Sequence, residues 1–309
     1  MPRKLPWVLV GACVLATAGA GWWAQGTRNA AVETPVAAVA PRADAVPAAA
    51  MPANRIRESS PSSSLVFDSR REFETTPDLF VYAQQLTLQA RAGDADAWWM
   101  LSRVHDYCAG FASDPAGYAR DTRAIAALEV SSAASMAAAR ERVSARCARF
   151  MPEDGLSSRS VHEARVQAAK AGSLAAEAAL LADGEPLSDV PGYRSDLVAR
   201  VSASGDPQAF LALSRAMGLT ASGEEGELGD VSGTWLSEVA WQIAACRLGL
   251  DCRPQGNLMT AYCAHGGICS RDPSLDFPAF VRDAGVPRQG IENLNEMVDS
   301  LLQRRRAIQ

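Results

Sequence analysis

Gly93-Asp94-Ala95-Asp96-Ala97-Trp98-Trp99-Met100-Leu101 is the stretch that decides the fold, because the chain repeats its outline twice more. Gly172-Ser173-Leu174-Ala175-Ala176-Glu177-Ala178-Ala179-Leu180 and Gly205-Asp206-Pro207-Gln208-Ala209-Phe210-Leu211-Ala212-Leu213 align with it without gaps. Each copy has Gly, then Asp or Ser, then Ala at the fifth position and Leu at the ninth. Gly takes up the left-handed conformation that ends a helix at little steric cost. Asp or Ser then offers a side-chain oxygen to the free N–H groups of the next helix. Ala lets two helices approach closely, and Leu, one turn on, fills the core they share. Each segment therefore predicts a junction between antiparallel helices, with neighbouring pairs covering one another's apolar faces.

Outward from these segments the same signals continue. Leu79, Tyr82, Ala83 and Leu86 mark one face at helical spacing, with Thr76 placed as cap and Pro77 at the first helical position. Leu236, Val239, Ala240 and Ile243 repeat the pattern, as do Ile291, Leu294, Val298 and Leu301. No apolar/polar alternation bounded by turn dipeptides stands out. The expected fold is all-α: a solenoid-like region of helical-hairpin repeats over 77–220, then a Cys-rich helical module over 221–309. The Gly-rich acidic stretch 221–233, containing Glu224-Glu225-Gly226-Glu227, reads as a solvated connector. It lacks the alternating ligand spacing of a calcium loop.

The pattern A-x-x-G-D-x-x-A-x-x-x-L resembles the Sel-one-like repeat, a relative of the tetratricopeptide repeat. It is fullest in Ala90-Arg91-Ala92-Gly93-Asp94-Ala95-Asp96-Ala97 followed by Leu101. Ser102 and His105 stand at the family's next small-residue and aromatic positions, which is a departure at His105. Gly172 and Gly205 lie one solenoid period apart, whereas Gly93 and Gly172 are separated by 79 residues, room for an insertion or a worn repeat. The resemblance covers roughly residues 77–220. It implies an α-solenoid that binds other proteins and has no chemistry of its own.

The first 28 residues bear on compartment. Arg3 and Lys4 precede a stretch with no charge until Arg28, bracketed by Trp7 and by Trp22-Trp23. That is about the ~20 residues of a bilayer-spanning helix. The positive flank belongs on the cytosolic side, so the remainder is exported. Ala18-Gly19-Ala20 also offers a signal-peptidase site, which would leave a soluble periplasmic protein. Cys13 sits in a loose lipobox, Val10-Gly11-Ala12-Cys13, although apolar residues continue past it. The expectation is a single-pass anchor over residues 1–26, held in a bacterial inner membrane through residues 5–26, with the C-terminal part periplasmic. Residues 27–76 are rich in Ala, Pro and Ser, as in Ser59-Ser60-Pro61-Ser62-Ser63-Ser64. They have Phe67 and Phe73 as their aromatics, so they read as a disordered linker.

Six cysteines follow the anchor: Cys108, Cys147, Cys246, Cys252, Cys263 and Cys269. An even number in an exported chain implies disulfides. Cys108 and Cys147 lie far from the other four and are paired with each other. Cys246–Cys252 and Cys263–Cys269 are two similar units, each passing through Gly before its second Cys, and local pairing is favoured. The crossed pairings stay open at this point. So does a zinc site of Cys252, Cys263, His265 and Cys269, although structural zinc ligands usually come in closer pairs.

Net charge of −5 over 309 residues argues against nucleic acid, which needs a basic face. No G-x-S-x-G, P-loop or H-E-x-x-H occurs. His105-Asp106 has the order of a metal phosphohydrolase dyad, but His162 and His265 supply few further ligands. No catalytic residue, cofactor or metal site is therefore expected, and the chain is not read as an enzyme. The expectation is a scaffold or adaptor for another envelope protein. The alternatives are a carboxylate-dependent glycan hydrolase and an immunity-type binder of one partner. Trp98 and Trp99 point about 100° apart on one helix, so one is buried and the other packs on a neighbour or anchors a partner. With His105 they are the candidate partner-binding residues.

Overall fold

Gly93, Gly172 and Gly205 all have positive φ, at 95°, 102° and 63°, and each stands between two helices. A side chain at these positions would be strained, which is why the repeat keeps Gly there. Asp94, Ser173 and Asp206 are the caps of the following helices. Their side chains accept hydrogen bonds from the N–H of Ala97, Ala176 and Gln208. Ala97, Ala176 and Ala209 are fully buried, and Leu101, Leu180 and Leu213 are buried beside them.

The computed structural model describes residues 68–308. In chain order the helices begin with α1 (Ser69–Thr75), α2 (Leu79–Arg91), α3 (Ala95–Ala112), α4 (Pro115–Ala126) and α5 (Ala133–Cys147). Next come α6 (Ser158–Lys170), α7 (Leu174–Ala182), α8 (Tyr193–Ser204), α9 (Pro207–Leu213) and the single turn α10 (Glu225–Leu228). Then follow α11 (Trp235–Arg247), α12 (Asn257–Ala264), the short α13 (Phe277–Phe280) and α14 (Arg288–Ile308). There is no strand among the described residues. The expected anchor, and the expected linker as far as residue 67, lie outside them.

The glycine junctions separate α2 from α3, α6 from α7, and α8 from α9. Packing then runs from pair to pair: α3 lies on α6, α7 on α9, α9 on α11, and α11 on α14. The long interval between the first two glycines holds an extra pair, α4 and α5, which pack on each other. One core extends from Phe73 to Leu301, so it crosses the boundary expected at residues 220/221. Trp99 and Trp241 are among its largest buried side chains. Burying an aromatic of this kind stabilises the fold by roughly 1.5–3 kcal/mol.

All three expected disulfides are present. Cys108–Cys147 ties α3 to the end of α5, with the Cα atoms 5.6 Å apart. Cys246–Cys252 and Cys263–Cys269 are local, with Cα separations of 5.6 and 4.4 Å. The cysteines of the zinc alternative are thus bonded to cysteines.

Three readings need correction. The end of the expected linker is helical: Phe73 of α1 is 1% exposed, among the rings of Tyr82 and Tyr107. One apolar side chain can dock a short segment when its carbonyls also find donors. Arg146 donates to the carbonyls of Phe73 and Thr76, Asn257 to that of Phe73, and Arg253 to that of Glu74. Second, Thr76 closes α1, and the cap of α2 is Asp78, whose carboxylate accepts from the N–H of Phe80 and Val81. Third, the stretch 221–233 is anchored rather than simply solvated. Leu228 and Val231 are buried, and the Trp241 indole donates to the Val231 carbonyl at 2.9 Å.

Candidate binding groove

Trp99, Arg103 and Asp106 follow one another at helical spacing, so they share one face of α3. That face borders an open groove of about 430 Å³, walled also by α6, α7, α9, α11 and α12. Glu238 and Gln242 come from one face of α11, and Tyr262 from α12. A recess of about 180 Å³ continues from it, sharing Arg103 and Asp106 and adding Phe73, Tyr107 and His265.

Most polar groups of the groove are already engaged. Arg165 of α6 donates to Asp183 at 2.5 Å and to Asp106 at 3.2 Å. Arg215 donates to the Ala182 carbonyl at 3.1 Å and sits 3.6 Å from Asp183. The Tyr262 hydroxyl donates to Gln242 Oε1 at 2.5 Å, and Gln242 Nε2 donates to Ser214 Oγ at 3.3 Å. Burial raises the pKa of the Tyr262 phenol. It also raises that of Glu238, with Arg215 opposing.

Arg103 differs from its neighbours. Its Nη1 donates to Gln208 Oε1 at 2.9 Å. Its guanidinium carbon lies 5.5 Å from the ring centre of Phe73 and 5.8 Å from that of Trp99. Burial pushes its pKa below the usual arginine range, while Glu74 and Asp106 oppose through space. Neither carboxylate comes within ion-pair distance of it among the described residues. Trp99 is 2% exposed, and its indole N–H has no acceptor.

The three candidates from the sequence separate here. Trp99 is buried and borders the groove, whereas Trp98 is half-buried, packs against the core and lies outside the groove lining. His105 also lies outside that lining. Its ring is hydrogen-bonded to the Ser160 backbone, its Nδ1 lacks a partner, and burial lowers its pKa. His105 and Asp106 therefore do not act together, since Asp106 turns to Arg165. Arg103 escaped notice because a lone arginine carries no motif. Its place one helical turn after Trp99 was the available signal.

Another acidic group lies apart. Glu74 borders a separate cavity of about 270 Å³, and burial pushes its carboxyl up to about 7. Glu74 and Glu238, the carboxyls with raised pKa values among the described residues, thus border different cavities. No group of three His, Cys, Asp or Glu side chains suited to a metal ion occurs among the described residues. No protein-family model, curated protein or solved structure matches the chain.

Proposed function

We propose that this chain is a protein-binding module whose partner lies in the groove along α3, α7, α9, α11 and α12. The helical pairs are degenerate Sel-one-like repeats forming a short α-solenoid, with α4 and α5 inserted after the first pair and the disulfide-stapled helices completing it. The module works in the bacterial periplasm, tethered to the inner membrane through residues 5–26, and its partner is another envelope protein. One observation carries this reading: the groove combines an aromatic wall with polar side chains, and its buried donors lack acceptors. Such surfaces place rigid aromatic anchors beside groups that wait for a partner's polar atoms. A glycan hydrolase would need two carboxyls facing one another across one cleft, roughly 5–10 Å apart. The groove does hold Asp106, Asp183 and Glu238, but both aspartates are tied up by Arg165, which favours binding over hydrolysis.

A photo-crosslinking residue at Ile268, exposed at the groove, tests this in intact cells. One specific envelope protein should be captured there and not from Val190, which is exposed elsewhere on the chain. Equal capture from both positions, or from neither, would overturn the reading.

A further inference from the structure

We infer that Arg103 and Trp99 form a seat for a carboxylate, and that the groove receives an acidic side chain of an extended peptide segment. The inference rests on the binding reading above and names the chemistry of the partner.

Three observations lead to it. First, Arg103 is the groove arginine with no carboxylate within ion-pair distance among the described residues. Arg165 has two carboxylates within reach, and Arg215 shares one of them. Arg103 has an uncharged amide, Gln208, as its side-chain acceptor. A guanidinium carries five N–H donors, so most of its capacity is uncommitted. The side chain is half-buried, so its remaining N–H groups reach the open groove, where a carboxylate can meet them. Second, the Trp99 indole N–H is a separate buried donor with no acceptor, on a side chain facing the same groove. Its ring lies beside the same guanidinium. Trp99 Nε1 is closed to solvent, so an oxygen reaches it only as the ring shifts, whereas the planar guanidinium matches a carboxylate with two parallel hydrogen bonds.

Third, the surroundings suit a peptide better than a free anion. Ala179, Ala182, Leu211 and Leu258 give the groove an apolar floor for neighbouring side chains, and Gln242 offers an amide. Asp106 and Asp183 are offset by Arg165 and Arg215 together, two cations for two carboxylates, which weakens their repulsion of an incoming acid. Arg215 lies near enough to offset part of the charge on Glu238. The rings of Phe73 and Trp99 fix the guanidinium in place, so less freedom is lost when the acid arrives.

The test uses the full-length chain in detergent micelles, with its tryptophans labelled with nitrogen-15. The probes are the capped tripeptide Ala-Glu-Ala, its Ala-Gln-Ala twin and inorganic phosphate. Trp99→Phe assigns the Trp99 indole signal and keeps the buried ring. The glutamate peptide should move that signal in a saturable way, and the glutamine twin should not. Arg103→Gln should weaken binding by about thirtyfold or more, since the charged bond would be lost. Arg103→Lys should fall between, which separates the forked geometry from charge alone. Equal responses to the two peptides, a response to phosphate alone, no response, or unchanged affinity in Arg103→Gln would each overturn the seat. Crosslinking from Ile268 in Arg103→Gln cells keeps the two readings apart. Undiminished capture of the same partner leaves the binding module standing without the seat. Peptide binding through Arg103 with no capture in wild-type cells leaves the seat without that partner.

Discussion

Replacing Glu74 with glutamine should stabilise the protein in alkaline solution and leave it nearly unchanged in acid. Glu74 belongs to α1, and its Oε2 is buried without a hydrogen-bond partner. Burial lifts its pKa from an ordinary 4.5 to about 7. Asp251 reinforces the rise, while Arg103, Arg146 and Arg253 oppose it. The folded state therefore holds a proton that the unfolded chain releases at lower pH. The contribution is fully present below about pH 4.5 and is lost as pH rises through about 7. At 1.36 kcal/mol per pH unit, the loss is roughly 3 kcal/mol. Detachment of α1 limits it, because a seven-residue helix can open and let the carboxylate meet water. A gain of about 2 kcal/mol for Glu74→Gln at pH 8.5 is the working figure, or roughly 4–8 °C in Tm for a domain of this size. Thermal melts of both proteins at pH 4.5 and 8.5, with disulfides intact, read the difference directly. Other titrating groups cancel between the two proteins. Hydrogen exchange at Phe73, Thr75 and Thr76 shows whether the charge opens α1 alone. A gain of equal size at both pH values, or a variant less stable at pH 8.5, refutes the reasoning.

Three further outcomes follow from the packing and the chain order. Ala97→Leu, Ala176→Leu and Ala209→Leu should each cost about 1–3 kcal/mol in urea unfolding, because all three methyl groups are fully buried between helices; unchanged midpoints in all three would remove the basis of the repeat. A non-reducing digest should yield the linkages Cys108–Cys147, Cys246–Cys252 and Cys263–Cys269. Losing the first should cost the most, about 4 kcal/mol against about 2 for each short loop. A C-terminal alkaline phosphatase fusion should be active; an inactive fusion beside an active cytosolic reporter contradicts export.

What could be read from the chain was local. The Gly-Asp/Ser-Ala-Leu order encodes a helix stop, a cap and a contact within nine residues, so all three junctions were legible. The two short cysteine pairs are favoured by their spacing, with the crossed pairings still open, while Cys108 and Cys147 are matched because they stand far from the other four. α1 was not legible, since its order comes from Phe73 meeting rings and donors on α2, α3, α5 and α12. The groove was half legible. The Trp98-Trp99 pair announced one buried and one partly buried ring, but neither the choice between them nor the missing acceptor of Trp99 is written locally. Arg103 draws its character from Phe73, Trp99 and Gln208, which the fold alone brings together. The stretch 221–233 misled because its charges are conspicuous, while Leu228 and Val231 anchor it.

The fastening of α1 has a mechanical consequence. The chain before Asp68 enters the fold through this helix. Arg70 donates to Asp206 at the start of α9 and to Asp96 in the first turn of α3. The other end of α1 is held by Arg146 of α5, by Arg253 and by Asn257 at the start of α12. Both ends of α1 are fastened to segments far away in the sequence, so the helix cannot leave the domain without breaking attachments at each end. The same failure would withdraw Phe73 and remove one of the two rings beside Arg103.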